Sequence, residues 1–209
     1  MIRIVIADDH ALVRSGMKRL LERAAGIRVI GEAAEGIELM QVLQRQPCEV
    51  LLLDISMPGK DGLALLKEVR GKWPATAVLM VSMHPECEYA GRALRAGAAG
   101  YVTKESAPEQ LIAAVRAVAA GHRFVSPVLA EILAGQLAGD QRKLAHEALS
   151  DREYKVLVRI GAGKTVGQIA DELFLSPNTV KTYRTRLLAK LGLGTTGELI
   201  RYVVANNLS

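Results

Sequence analysis

Metal and disulfide chemistry have little to draw on in this chain. Its 209 residues hold two cysteines, Cys48 and Cys87, in no CxxC pair, and four histidines, His10, His84, His122 and His146, too scattered to suggest a ligand set. Reduced thiols and no structural zinc are therefore expected. No window comes near the ~20 consecutive apolar residues of a membrane span. The opening "MIRIVIADDH" lacks the charged-then-apolar shape of a secretory signal, so a cytoplasmic location without membrane association is expected. Aromatic residues are scarce at 4%, yet 50% of the chain is hydrophobic, enough for two small cores.

Charge is unevenly shared. Residues 1–121 hold 15 Lys/Arg and 14 Asp/Glu, a net +1, whereas residues 122–209 hold 12 and 8, a net +4. Within the second stretch, "SPNTVKTYRTRLLAK" carries Lys181, Arg184, Arg186 and Lys190 with no acid. That is the local footprint expected for phosphate backbones, although charge alone favours a solvated helix face.

Through the first 121 residues, short apolar runs alternate with helical patterns: "IRIVIAD", "IRVIGEA", "EVLLLD", "AVLMVSM" and "AGYVTK" read as five strands. Strands spaced by helices predict a doubly wound α/β domain, a five-stranded parallel sheet covered on both faces. Ligands of such sheets bind at the carboxyl ends of the strands. After "SPVLAEILAGQL", which suits one helix, a polar stretch broken at Gly139-Asp140 reads as linker. Four helical patterns without strands then predict a small all-α domain, with Ser150 and Glu153 as a capping box and Ser176-Pro177 as an N-cap followed by proline at the first helical position.

Asp8 and Asp9 follow strand one, Asp54 ends strand three, Ser82 ends strand four and Lys104 follows strand five. Singly, Asp9 reads as a helix cap, Ser82 as a turn residue and Lys104 as a surface lysine. Together, the topology brings them to one pocket. Crowded carboxylates repel, and a hard divalent cation such as Mg²⁺ relieves that repulsion. A carboxylate beside such a cation and a lysine can act as nucleophile toward a phosphoryl group, which would make Asp54 an aspartyl phosphate.

In the second half, "GAGKT" (residues 161–165) imitates the end of a phosphate-binding loop, but Val158 stands where that pattern needs glycine and a helix precedes it. Gly161 and Gly163 read instead as a helix stop. The stretch "TVGQIADELFLSPNTVKTYRTRLL" has the spacing of a helix-turn-helix. In its second helix, Val180, Leu187, Leu188 and Leu191 suit the interior, while Asn178, Lys181, Thr182 and Thr185 make a polar stripe able to enter a major groove. Arg184, Arg186 and Lys190 are placed to contact phosphates.

The motifs "IVIADDH", "LLLDISMPGKDG", "VLMVS" and "AGYVTK" resemble the receiver domain of two-component response regulators, whose fold is CheY-like. The segment from "LSDREYK" to "LLAKLGL" resembles the LuxR-type helix-turn-helix, and the pairing is similar to the NarL/FixJ group, with GacA/UvrY-like features such as Tyr183 where many members have His. The resemblance implies a receiver over residues 1–121, a linker over 122–148 and a DNA-binding domain over 149–209. It implies Asp54 as phosphoacceptor, with Asp8, Asp9, Asp54 and the Ser56 backbone carbonyl as Mg²⁺ ligands. Ser82 and Lys104 would meet the phosphoryl group, Tyr101 would be the aromatic switch, and Pro58-Gly59 would shape the adjacent loop. Lys181 and Thr182 would face bases, with Thr179 and Arg184 nearer the backbone. The implied partners are a cognate sensor histidine kinase, double-stranded DNA and a second copy of the chain, the homodimer forming on phosphorylation or on DNA.

Two other readings compete. A receiver used only for constitutive dimerisation is disfavoured by the complete acid, hydroxyl and lysine set. A flavin or nucleotide enzyme needs a phosphate-cradling loop after strand one, where the acidic "ADDHALVR" would repel phosphate. The expectation is therefore a signalling transcription factor and not an enzyme.

Overall fold

Strands whose successive residues are all apolar need cover on both faces, and the first half of the chain supplies it. The computed structural model describes residues 1–57, 62–83, 86–127, 129–130, 145–206 and 208, divided between a unit Met1–Gly139 and a unit Asp140–Ser209. In the first unit, β1 (Ile2–Ala7), α1 (Ala11–Glu22), β2 (Ile27–Ala33), α2 (Gly36–Arg45) and β3 (Val50–Asp54) are followed by α3 (Gly62–Lys72), β4 (Ala77–Ser82), α4 (Glu86–Arg95), β5 (Gly100–Thr103) and α5 (Pro108–Ala119). The sheet is parallel throughout, in the order β2-β1-β3-β4-β5. The five expected strands are present with slightly trimmed ends. Pro58-Gly59 and residues 131–144, most of the expected linker, lie outside the described residues.

Alternation along the strands sorts the core into two layers. Ile4 and Ile6 of β1, Val50 and Leu52 of β3, Leu79 and Val81 of β4 and Val102 of β5 pack with Met17 and Leu21 of α1 and with Leu111, Val115 and Val118 of α5. Residues of the other parity, among them Val5, Leu51, Leu53, Met80 and Tyr101, are equally buried but lie outside that cluster. Such two-sided burial makes the strand segments read as unbroken apolar runs. Past α5 the chain returns to the sheet: Phe124 bridges Gly100 in parallel, and its N–H donates to the Ala99 carbonyl at 2.9 Å. The Ser126 hydroxyl then donates to the Glu86 carboxylate at the start of α4. An edge strand left bare would be a template for wrong pairing, and this return covers part of β5.

The second unit contains a 3₁₀ turn (Ala145–Ala148), α6 (Asp151–Gly161), α7 (Val166–Leu173), α8 (Pro177–Leu191) and α9 (Thr196–Ala205). Each helix starts on a hydroxyl that satisfies an otherwise orphaned backbone N–H. Ser150 with Glu153 forms the expected capping box, and Thr165 with Gln168 and Thr195 with Glu198 form two more. Ser176 accepts from the Thr179 N–H, with Pro177 at the first helical position. Tyr154, Leu157 and Ile160 of α6, Ile169 of α7, Val180 and Leu187 of α8 and Leu199 and Val203 of α9 are buried; Leu188 and Leu191, expected inside, are half-buried. No described helix is long and apolar enough to cross a membrane.

The "GAGKT" stretch corrects part of its sequence reading. Gly163, at φ +75°, is the helix stop, with its N–H on the Ile160 carbonyl at 3.0 Å and the Lys164 N–H on the Arg159 carbonyl at 3.1 Å. Gly161 is instead the last residue of α6, where it lets α9 approach: a Cβ there would overlap Val203 Cγ1 and lie 2.7 Å from Val203 Cβ. Gly161→Ala is accordingly expected to destabilise the second unit by about 1–3 kcal/mol through overpacking. Chemical denaturation followed by circular dichroism checks this, and combining it with Val203→Ala should cost less than the two single changes added together.

Candidate functional sites

The strand order places a topological switch point between β1 and β3, and the acids converge there. Asp8 and Asp54 are buried, with Asp9 and His10 at the rim. One ligand atom from each of Asp8, Asp9, His10 and Asp54 falls within a group no more than 4.8 Å across. Local backbone geometry holds the two buried acids: the His10 N–H donates to Asp8 Oδ1 at 2.8 Å, and the Ser56 N–H donates to Asp54 Oδ1 at 3.1 Å. Gly62 makes room for the turn behind Asp54, since a Cβ would lie 2.6 Å from Ile55 Cα.

Lys104, just past β5, reaches across the sheet end. Its Nζ lies 2.8 Å from Asp54 Oδ2 and 2.8 Å from Asp8 Oδ2. The contact with Asp54 is a hydrogen bond, whereas Asp8 Oδ2, although ion-paired, is buried without a donor aligned on it. Burial pushes the Lys104 ammonium down, but the hydrogen bond to Asp54 and the charges of Asp54 and Asp8 outweigh it and hold the group above its ordinary value. Ser82 is buried at the end of β4, one residue beyond Val81, the register partner of Asp54. Tyr101 is also buried, paired in register with Met80. The Ser56 side chain is exposed.

His10 corrects the reading of the histidines as scattered. Its Nδ1 lies 2.7 Å from Asp9 Oδ1, and its place directly after Asp8-Asp9 was the available signal. Arg14 is a second residue that sequence reasoning missed: one turn into α1, its guanidinium donates to the Asp8 carbonyl and faces Glu32 at 3.4 Å.

On α8, Asn178, Lys181, Thr182 and Thr185 form the expected exposed stripe, with Arg186 exposed beside it and Arg184 half-buried. Thr179 is half-buried at the cap, its hydroxyl 2.8 Å from that of Ser176. Lys190, exposed on the same helix, also has a partner within the unit. Its Nζ lies 2.8 Å from Glu153 Oε2, the carboxylate that also closes the Ser150 capping box. Burial would push Glu153 up, but Lys190 and the Ser150 donors outweigh it and hold the carboxyl below its usual range. This ammonium therefore ties α8 to α6.

Comparison with known proteins covers both units. The family described as "Response regulator receiver domain" matches residues 4–116, and "Bacterial regulatory proteins, luxR family" matches residues 147–203. The chain is 34% identical to "Response regulator UvrY" of Escherichia coli K12 over 209 residues, covering 100% of this chain and 96% of that protein. It is 35% identical to "Response regulator GacA" of Pseudomonas aeruginosa, covering 100% and 98%. Among solved structures it resembles RcsB from Salmonella enterica serovar Typhimurium bound to promoter rprA in the presence of phosphomimetic BeF₃⁻, with a TM-score of 0.66, 28% identity and coverage of 98% and 100%.

Replacing Lys104 by methionine tests the electrostatics of the pocket. In the native chain the contribution of Lys104, whose folded-state value is raised, is fully present below its unfolded value and is lost only as pH rises through the folded one. Lys104→Met leaves Asp8 and Asp54 facing each other uncompensated, at a cost of about 3 kcal/mol near neutral pH. The deficit should be full below the unfolded-state value of Lys104 and narrow only as pH rises through the raised folded one, which thermal melts across pH measure directly.

Proposed function

Since the chain belongs to the two-component response regulators that join a receiver domain to a LuxR-type DNA-binding domain, we propose that it is a transcription factor switched by phosphorylation of Asp54. The observation that carries this reading is the buried Lys104 ammonium held between Asp54 and Asp8 at the switch point of the sheet. A phosphohistidine of a cognate sensor kinase is the donor. An Asp54 carboxylate oxygen attacks phosphorus, the P–N bond breaks, and its electron pair leaves with the imidazole. Lys104 exchanges Asp54 Oδ2 for an equatorial phosphoryl oxygen, and the Ser82 hydroxyl donates to another.

Asp8, Asp9, Asp54 and the Ser56 carbonyl are the residues that would hold Mg²⁺, which when bound offsets the charge of the crowded oxygens. Two features support the fit. Three carboxylates cluster where the ammonium touches only two of them, and Asp8 Oδ2 is buried without an aligned donor. The donors of Asp8, Asp9, Asp54 and the Ser56 carbonyl are all oxygens, a set that suits a hard cation.

Ser82 moving toward phosphate and Tyr101 filling the space behind it form the switch in this reading. Phosphate shifts that equilibrium only by its differential interaction with the two receiver states. The receiver spans residues 1–121, the linker 122–148 and the DNA-binding domain 149–209, and the chain acts in the cytoplasm as a regulator and not as an enzyme. Phosphorylation favours a homodimer on double-stranded DNA. There, Asn178, Lys181, Thr182 and Thr185 of α8 meet base edges, and Thr179, Arg184, Arg186 and Lys190 meet phosphates.

Two experiments test this. Intact-protein mass after incubation with a small phosphodonor should rise by one phosphoryl group only when Mg²⁺ is present, and not at all in Asp54→Asn; a gain in the Asn variant would move the acceptor elsewhere. Lys181→Ala should weaken specific DNA binding about tenfold or more in a gel-shift titration, while binding of unrelated DNA changes much less.

A further inference from the structure

The exposed stripe of α8 carries chemical information that its charge does not. The Thr182 hydroxyl donates to the Asn178 carbonyl at 3.0 Å, and the Thr185 hydroxyl donates to the Lys181 carbonyl at 3.1 Å. A hydroxyl has one hydrogen, so both donors are spent inside the helix. Each threonine presents outward its methyl group and an oxygen that can only accept. Lys181, exposed and without an ion pair among the described residues, offers only donors. Asn178, also exposed, offers an amide that both donates and accepts.

Thymine alone among the bases shows a methyl group in the major groove. Resting on the reading of α8 as the recognition helix, we propose that Thr182 and Thr185 read the 5-methyl groups of thymines through apolar contact, with their hydroxyls taking no part as donors. Three residues span about 4.5 Å along a helix axis. That is nearer the ~3.4 Å rise of one base pair than two such steps, so the two methyls fall on neighbouring base pairs. On the N-terminal side of these contacts, Lys181 suits the paired acceptors of guanine and Asn178 the donor–acceptor edge of adenine. Specificity then comes from a small apolar surface set among donors, which matches the shape of the site as well as its charge.

The probe is a short duplex selected from a random-sequence pool by the full chain, treated with phosphodonor and Mg²⁺. Replacing each thymine of a half-site in turn by deoxyuridine removes the methyl and keeps the base pairing. At two neighbouring positions the affinity should fall about fourfold, the factor expected for one methyl group left unburied. Thr182→Ser and Thr185→Ser keep the hydroxyl and lose the methyl, so each should abolish the deoxyuridine penalty at one of those positions. On the thymine duplex, each should also weaken binding more than Thr182→Val or Thr185→Val does. If deoxyuridine is tolerated everywhere, or the valine variants bind more weakly than the serine ones, hydroxyls and not methyls do the reading and the proposal is overturned. Lys181→Ala, assayed on the same duplex, separates the two levels. Lost binding there with tolerated deoxyuridine sinks only the methyl assignment, whereas wild-type binding by Lys181→Ala and by both serine variants removes α8 from recognition altogether.

Discussion

A single ammonium between two buried carboxylates governs the first unit. Lys104 touches Asp54 and Asp8 at 2.8 Å each, and no arrangement of those two acids at the ends of adjacent strands is tolerable without it or another cation. The parallel sheet exists to make that meeting possible. β1 and β3 are hydrogen-bonded neighbours at the switch point, and β5 lies one strand further out, beyond β4. The lysine stem must therefore cross the end of β4, which brings it past Ser82; the Lys104 N–H donates to the Ser82 carbonyl at 2.8 Å. One interaction thus aligns three strand ends, and the backbone bond to Ser82 ties in a fourth.

The second unit obeys a similar economy with different parts. Its helices start on hydroxyl caps, which satisfy backbone N–H groups that packing alone would leave unpaired. The inner side of α8 is buried through Val180 and Leu187, and Lys190 pins its last turn to the capping carboxylate of α6. What remains outward is a polar stripe held rigid from behind, the condition for reading a base edge with side chains of few atoms.

Much of this was legible in the sequence because strand and helix periods are strong signals and acids rarely end apolar strands without cause. The five strands, the pocket residues and the exposed polar stripe of α8 all follow from one-dimensional pattern. The misses share a physical reason: each depends on a partner distant in the chain. Gly161 reads as a helix stop until Val203, from another helix, is seen against it. The pair of Lys190 with Glu153 joins residues 37 apart in the chain, so no local pattern shows it. The return of Phe124 to Gly100 is invisible because a single bridge has no period. His10 is the exception, overlooked because it was weighed against other histidines and not against the acids beside it. The capping boxes at Thr165 and Thr195 were readable by the rule that found Ser150.

The order of the strands also has a consequence for synthesis. β5 is both the last strand to leave the ribosome and an outer strand of the sheet, so Asp8 and Asp54 can be brought together by β1 and β3 well before Lys104 exists to neutralise them. A nascent receiver is therefore electrostatically unfinished until its final strand docks. A chain cut short before Lys104 is left with Asp8 and Asp54 at neighbouring strand ends and without the ammonium that offsets them.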